Sequence, residues 1–279
     1  MPPPQTHILD RLIDALAPCG RLAVLLSGGV DSSLLAAAAA RALGADAVLA
    51  LTCASELLPE EDLAAARAVS AQLGIHHLTV SFQALALPEV AGNTPERCYA
   101  CKGEMIRLGR EAAAKEGFLV LAEGSSTQDT GSHRPGLRAV REAGVISPLA
   151  VAGLDKQAVR DLALELKLAV WDKPSTPCLA TRFPEGHPLD LAEVGIVHQA
   201  ERMLRERFGL RQLRLRHQGG QRVRLEVSPA QLTAAVLLEP GISAALEKTL
   251  GLRLLLPVRP YGGEERKVPA PVRGARTFA

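Results

Sequence analysis

Apolar and polar positions alternate in two different styles along the chain. In the first, short apolar runs are separated by longer amphipathic stretches. Residues 22–26 (Leu-Ala-Val-Leu-Leu) read as a buried strand, followed by a helix from residue 32 to about 43. Residues 46–52 and 75–80 read as further strands, separated by a helix that opens at Pro59-Glu60-Glu61-Asp62 and is stopped by Gly74. A helix over about 102–116 leads through Gly117 into a strand at 118–122, and another helix covers about 156–166. This order predicts an α/β fold, a doubly wound parallel sheet whose ligands lie beyond the C-terminal ends of its strands.

The second style begins after the Pro-rich residues 174–188, which read as a linker. A helix over 191–208 precedes two alternating strands, 213–217 and 222–227, joined across Gly219-Gly220. Helical spacing follows Ser228-Pro229 to Gly251, and a last strand covers 252–258. The expected organisation is a first domain over 1–186, a smaller α+β C-terminal domain over 187–260, and a flexible tail over 261–279 rich in Gly, Pro and Arg. Alternation puts Arg214 and Arg216 on one face of the hairpin, opposite Arg222, Arg224 and Glu226, with Leu213, Leu215, Val223, Leu225 and Val227 turned to a core. Two readings of those arginines stand: a solvated face partly neutralised by Glu226, or a seat for a phosphate or carboxylate, which arginine suits through bidentate donation.

Composition narrows the class. The 279 residues are enough for two cores, and 32 Lys and Arg against 30 Asp and Glu give a net charge of +2. That balance offers no global case for nucleic-acid or membrane binding. The opening Met1-Pro2-Pro3-Pro4-Gln5 lacks the form of a secretory signal and no apolar run approaches membrane-spanning length, so a cytoplasmic protein is expected. Five cysteines, an odd number, argue against a disulfide scaffold.

The chemistry concentrates in three stretches. Ser27-Gly28-Gly29-Val30-Asp31-Ser32-Ser33 joins the first strand to its helix. Its glycines let the backbone approach an anion, its serines add donors, and the helix N-terminus points positive charge at the same place. No Walker-type lysine accompanies it. Cys98-Tyr99-Ala100-Cys101 lies at the mouth of a helix, and alone it fits half a zinc site, a redox pair, part of an iron–sulfur site or incidental thiols. Cys178 follows prolines and stands near Lys173 and Arg182, which favour its thiolate; if it converges with Cys98 and Cys101, the three could carry a cluster. Cys19 and Cys53 read as buried, inert thiols, and the seven histidines show no ligand spacing.

The Ser27–Ser33 heptad resembles the PP-loop of the ATP pyrophosphatases, of adenine nucleotide alpha hydrolase-like fold. With Arg97-Cys98-Tyr99 to Lys102, Arg134-Pro135-Gly136, the stretch from Trp171 through Pro184, and the Arg214 and Arg216 strand, the chain resembles the LarE-type ATP-dependent sulfur transferases of nickel-pincer cofactor synthesis. The resemblance implies that Ser27, Gly28, Gly29, Val30, Asp31, Ser32, Ser33 and Thr52 hold ATP, with Mg²⁺, and that Asp31, Cys178 and Arg182 are catalytic. It implies that a pyridinium-3,5-biscarboxylic acid mononucleotide is adenylated on a carboxylate and converted to a thiocarboxylate, its phosphate held by Arg214 and Arg216. It places the chain with members that hold a [4Fe-4S] cluster on three cysteines, here Cys98, Cys101 and Cys178, fed by a sulfide source. A homo-oligomer is expected, with no membrane or nucleic-acid partner. The competing readings are a tRNA-thiolating PP-loop enzyme, sacrifice of the Cys178 sulfur without a cluster, an amide-forming synthetase, and a nucleotide-binding module without turnover. The chain departs from the family pattern at residues 124–133, which lack an Asn/Asp-rich run, and at Tyr261-Gly262-Gly263-Glu264-Glu265, which lacks an arginine.

Overall fold

A computed structural model describes residues 5–130 and 135–261. Arg134 of the Arg-Pro-Gly motif and the expected tail beyond Tyr261 lie outside the described residues. The chain separates into two compact units, Met1–Arg202 and Met203–Ala279.

In the first unit the apolar runs become four parallel strands: β1 (Leu22–Leu25), β2 (Val48–Ala54), β3 (His76–Ser81) and β4 (Val120–Ala122), in the order β3-β2-β1-β4. The chain builds outward from β1 to β3 and then crosses back to β4 on the other side of β1. Neighbouring connections therefore diverge at the C-terminal ends of β1 and β4, which opens a crevice there. Helices α1 (Gln5–Leu16), α2 (Val30–Leu43), α3 (Glu60–Leu73), α4 (Pro88–Ala91), α5 (Arg97–Lys115), α6 (Thr127–Thr130), α7 (Pro135–Glu142), α8 (Pro148–Val151) and α9 (Lys156–Glu165) complete the unit.

Period-two alternation sorts the strand residues between two cores. Leu22, Val24 and Leu26 join Leu34, Leu35, Val159 and Leu162 on one face, while Ala23, Leu25, Leu49 and Leu51 join Ile106 and Phe118 on the other. On α5, a Cβ added at Gly109 would come within 3.2 Å of a Leu51 methyl, so glycine lets this helix lie close to the sheet.

Several boundaries differ from the sequence reading for local reasons. Residues 45–47 form a 3₁₀ turn, so β2 begins at Val48 and runs on to Ala54. Only Val120–Ala122 pair in β4, since Leu119 is exposed. Helix α5 starts at Arg97, which places both Cys98 and Cys101 inside its first two turns. The sequence reading had no element before residue 22, yet Leu9, Leu12 and Leu16 give α1 a buried stripe. Cys19, expected to be buried, is half-exposed; Cys53 is buried.

Helix α10 (Leu191–Phe208) runs from the first unit into the second. There β5 (Leu213–His217) and β6 (Arg222–Val227) form an antiparallel hairpin. Helices α11 (Leu232–Leu237) and α12 (Glu239–Leu250) then lead to β7 (Arg253–Pro260), which pairs parallel to β6. Leu213, Leu215, Val223, Leu225 and Val227 are buried as the alternation requires. Among the described residues no helix is long and apolar enough to cross a membrane.

Candidate active site

The PP-loop leaves β1 and turns into α2 through Gly28, whose φ of +75° favours glycine. A Cβ there would collide with the Asp62 carbonyl oxygen and come within 3.0 Å of the Ala66 amide, so only glycine lets the loop lie against α3. Gly29 is the N-cap of α2. Ser32 Oγ lies 3.1 Å from both the Ser27 amide and the Ser27 hydroxyl, while Ser33 Oγ donates to Gly29 O at 2.8 Å. These serines tie the turn to itself and keep the first N–H groups of α2, including those near Val30 and Asp31, directed as one anion-binding end. Gly124 closes the cradle, because a Cβ there would come within 2.8 Å of the Ser32 amide nitrogen.

A cavity of about 520 Å³ opens above this loop. Its walls include Ser27, Asp31, Ser32 and Thr52 at the strand ends, Asp129 and Lys156 on one side, and Lys102, Ser175 and Pro177 on another. Lys156 brings a cation to the cavity wall beside the loop. Its Nζ lies 2.9 Å from Asp31 Oδ2 and 2.6 Å from Asp129 Oδ2. Burial works against the Lys156 charge, yet the two carboxylates win and raise its pKa; burial likewise opposes the Asp129 charge, and Lys156 with Ser126 holds that carboxyl below its ordinary value. Asp31 Oδ1 is buried without a hydrogen-bond partner among the described residues.

Thr52 is almost fully buried, and its hydroxyl donates to Leu26 O at 2.6 Å. With that single proton committed, the 2.8 Å contact to His77 Nε2 must have His77 as donor. Nε2–H can donate from the neutral or the charged ring, and burial, then Arg67 and His76, lower the His77 pKa and so favour the neutral one.

Cys98 and Cys101 stand three residues apart on one face of α5, and Cys178 caps the 3₁₀ turn Leu179–Arg182. The three thiols come within electrostatic reach of one another. Burial, then Cys178 and later Cys98, push the Cys101 thiol up to about 12, against a lowering by Lys102. Burial also raises the Cys178 thiol, with a hydrogen bond from the Ala180 amide working against it and Cys98 adding to it.

The loop that carries Cys178 is anchored at several points. Lys173 Nζ donates to Gly28 O at 3.0 Å and pairs with Asp62 at 2.6 Å, which joins this loop to the PP-loop. The Leu179 amide donates to Leu57 O at 3.2 Å. Arg182, expected beside the reacting centre, is only 1% exposed and forms a fork with Glu201, both bonds being 2.9 Å, while Nη1 donates to Pro177 O at 2.6 Å. Lys156, Asp129, Gly124, Lys173, Asp62 and Glu201 were not foreseen as site residues. Lys173, Gly124 and Asp129 fall within stretches already singled out, while the ion-pair partners of Lys156, Asp129, Lys173 and Asp62 lie far off in sequence.

In the second unit, Arg216 Nε pairs with Glu226 at 2.9 Å and the Arg214 guanidinium lies 3.9 Å over the Tyr261 ring. Arg224 stands opposite Arg216 in the ladder, and its Nε is buried without a partner among the described residues.

A glycine-rich turn at the C-terminal end of a central parallel strand, with no Walker lysine and Lys156 of α9 beside it, fits a PP-loop nucleotide site, and the matches below make the chain an ATP-dependent enzyme of the AMP- and pyrophosphate-forming class. The family model described as asparagine synthase matches residues 10–103. The chain is 31% identical over 242 residues to the pyridinium-3,5-bisthiocarboxylic acid mononucleotide synthase of Lactiplantibacillus plantarum, covering 87% of each chain. It therefore belongs to the LarE-type family of ATP-dependent sulfur transferases. It is also 36% identical over 224 residues to an uncharacterised protein of Synechocystis sp., covering 80% of this chain and 82% of that one. The tRNA-specific 2-thiouridylase of Caulobacter sp. is 27% identical over 223 residues, covering 64% of this chain and 54% of that protein.

Proposed function

We propose that the chain adenylates a carboxylate of pyridinium-3,5-biscarboxylic acid mononucleotide with ATP and Mg²⁺, and that sulfur delivered at Cys98, Cys101 and Cys178 then displaces AMP. The observation that carries this reading is the shared cavity. One wall is the PP-loop, and another is formed by Lys102 and Pro177, the immediate chain neighbours of Cys101 and Cys178.

A carboxylate oxygen is a poor leaving group, so activation must precede sulfur attack. The substrate carboxylate attacks the α-phosphorus, the bond to the β-phosphate bridging oxygen breaks, and pyrophosphate leaves. Gly28, Gly29 and the α2 N-terminus hold the departing phosphates, and Lys156 offsets their charge. The orphaned, buried Asp31 Oδ1 is a hard oxygen donor suited to Mg²⁺, which would shield the phosphate charges when bound. The sulfur nucleophile then attacks the acyl carbon, the bond to AMP breaks, and a thiocarboxylate remains.

The cysteines fit an iron–sulfur cluster on chemical grounds. Cys98 and Cys101 stand one helical turn apart on α5, burial and then the neighbouring cysteines raise the Cys101 and Cys178 thiols, and bound iron, which soft thiolates suit, would stabilise their deprotonated form. A cluster held by Cys98, Cys101 and Cys178 would supply the sulfide that replaces the acyl oxygen. Arg182, locked to Glu201 and to the Pro177 carbonyl, acts in this scheme by positioning the Cys178 loop. In the second unit, taken by itself, the face that carries Arg214 and Arg216 is suited to a phosphate, the role the family resemblance implies for it.

The test supplies ATP, Mg²⁺ and the pyridinium mononucleotide to protein reconstituted anaerobically with iron and sulfide. Pyrophosphate, AMP and thiocarboxylate should appear in equal amounts. Lys156→Met should lower pyrophosphate release by about 100-fold, roughly 2.7 kcal/mol of transition-state stabilisation, with iron content unchanged. Cys178→Ala should keep adenylation and lose thiocarboxylate. Pyrophosphate release with tRNA alone would reject the substrate. Absence of iron together with loss of one sulfur from Cys178 would replace the cluster with a sacrificial cysteine.

A further inference from the structure

Asn93 lies outside every motif that the sulfur-transfer reading uses, and it is completely buried. Its backbone is left-handed, at φ 48°, a conformation that Asn tolerates better than most residues. Its Nδ2 donates to Pro184 O at 2.7 Å and to Phe183 O at 3.4 Å, while its Oδ1 is buried with no partner among the described residues. A buried acceptor left without a donor is costly, so the side chain is held for what its amide nitrogen does.

What the nitrogen does is join two distant segments. The same pair of segments is closed by Gly186 N donating to Asn93 O at 2.9 Å and by Leu189 N donating to Ala91 O at 2.7 Å. Cys98 follows Asn93 by five residues, at the start of α5. On the other side, Phe183 follows Cys178 by five residues through the 3₁₀ turn, whose Thr181 amide and hydroxyl both donate to Cys178 O. We propose that Asn93 is a positioning residue that sets the distance between the Cys98–Cys101 pair and Cys178, by clamping residues 91–93 onto residues 183–189. None of the bonds just named reaches the PP-loop directly; the Cys178 loop meets it through Lys173, so ATP binding is followed beside thiol bridging in the test.

The inference deepens the three-cysteine reading, and the test separates the two. The probe is dibromobimane, which fluoresces when it bridges two nearby thiols, applied to the metal-free chain; the bridged peptides are identified by mass spectrometry. Wild-type protein should give Cys178 bridged to Cys98 or Cys101. Asn93→Gly keeps the left-handed backbone and removes only the amide, and it should lower that bridged yield by about tenfold, the loss expected from one or two buried hydrogen bonds. ATP binding, followed by calorimetry, should be unchanged. Asn93→Asp, of the same shape but with an acceptor facing two carbonyls, should act in the same direction and serves if the glycine variant does not fold.

Wild-type bridging yield in a variant that binds ATP would overturn the proposal. So would loss of ATP binding in step with bridging in both variants, which would assign Asn93 to the fold as a whole. Wild-type chain that bridges its thiols but takes up no iron on reconstitution would reject the cluster and leave the clamp standing.

Discussion

The buried pair Arg182–Glu201 separates a residue that positions from one that reacts. Arg182→Met leaves Glu201, 0% exposed, as a carboxylate without its fork of two 2.9 Å hydrogen bonds. Breaking one side of a buried ion pair costs about 3–5 kcal/mol. The lost 2.6 Å bond to Pro177 O adds about 1 kcal/mol. For a unit of this size, each kcal/mol moves Tm by roughly 2–4 °C, so the variant should melt roughly 8–24 °C lower. Arg182→Met with Glu201→Leu removes the stranded charge and should recover most of that loss, because an apolar pair of similar volume is often neutral or better. Calorimetric melting measures both, with pyrophosphate and thiocarboxylate followed in parallel. The double variant should keep adenylation and form thiocarboxylate about tenfold more slowly, since the Pro177 anchor is gone. A single variant that melts within about 4 °C of wild type would refute the energetic argument. A double variant with no pyrophosphate release would return Arg182 to the reacting centre.

Two further outcomes follow from the geometry. Gly28→Ala forces a Cβ onto the Asp62 carbonyl and a side chain into a left-handed residue, so ATP affinity should fall by about 100-fold, or ~2.7 kcal/mol, in calorimetric titration; near-normal affinity would show that the loop can shift away from α3. Cys53, buried with its thiol donating to Met105 O, has its pKa pushed from 9.0 to about 11 by burial, against a lowering by Lys102. Between those values the unfolded chain has released a proton that the folded chain still holds, so stability falls as pH rises through that window, by up to ~1.4 kcal/mol per pH unit. Cys53→Ala should flatten the pH 9–11 melting curve relative to wild type, and parallel curves would contradict the assignment.

Legibility differed between the sheet and the site for physical reasons. Strands β1 to β3 and the turn at Gly28 were readable because their signals are local: apolar runs of strand length and glycines at a strand-to-helix junction. Helix α1 carried an equally local stripe in Leu9, Leu12 and Leu16, but its polar opening masked it. Lys156 read only as a helix start, because its partners Asp129 and Asp31 stand 27 and 125 residues away. Arg182 read as a catalytic group favouring the Cys178 thiolate, since nothing local discloses that Glu201, 19 residues on, holds its guanidinium in a buried fork. Asn93 carried no pattern, because its partners at 183 and 184 lie about 90 residues on and accept through backbone carbonyls that any residue type possesses.

The bond between Lys173 and Gly28 O spans 145 residues, and its ion pair with Asp62 ties in a third stretch of chain. That linkage sets the unit of exchange for protein engineering. A cysteine loop transplanted from this chain into another PP-loop scaffold would arrive without its hinge pin unless Lys173 came with it and an acid stood at the Asp62 position. In the sulfur-transfer scheme proposed above, the Cys178 loop is therefore portable only together with its matching helix start. Recombination that separates them would yield scaffolds that fold and bind nucleotide while presenting the thiol in the wrong place.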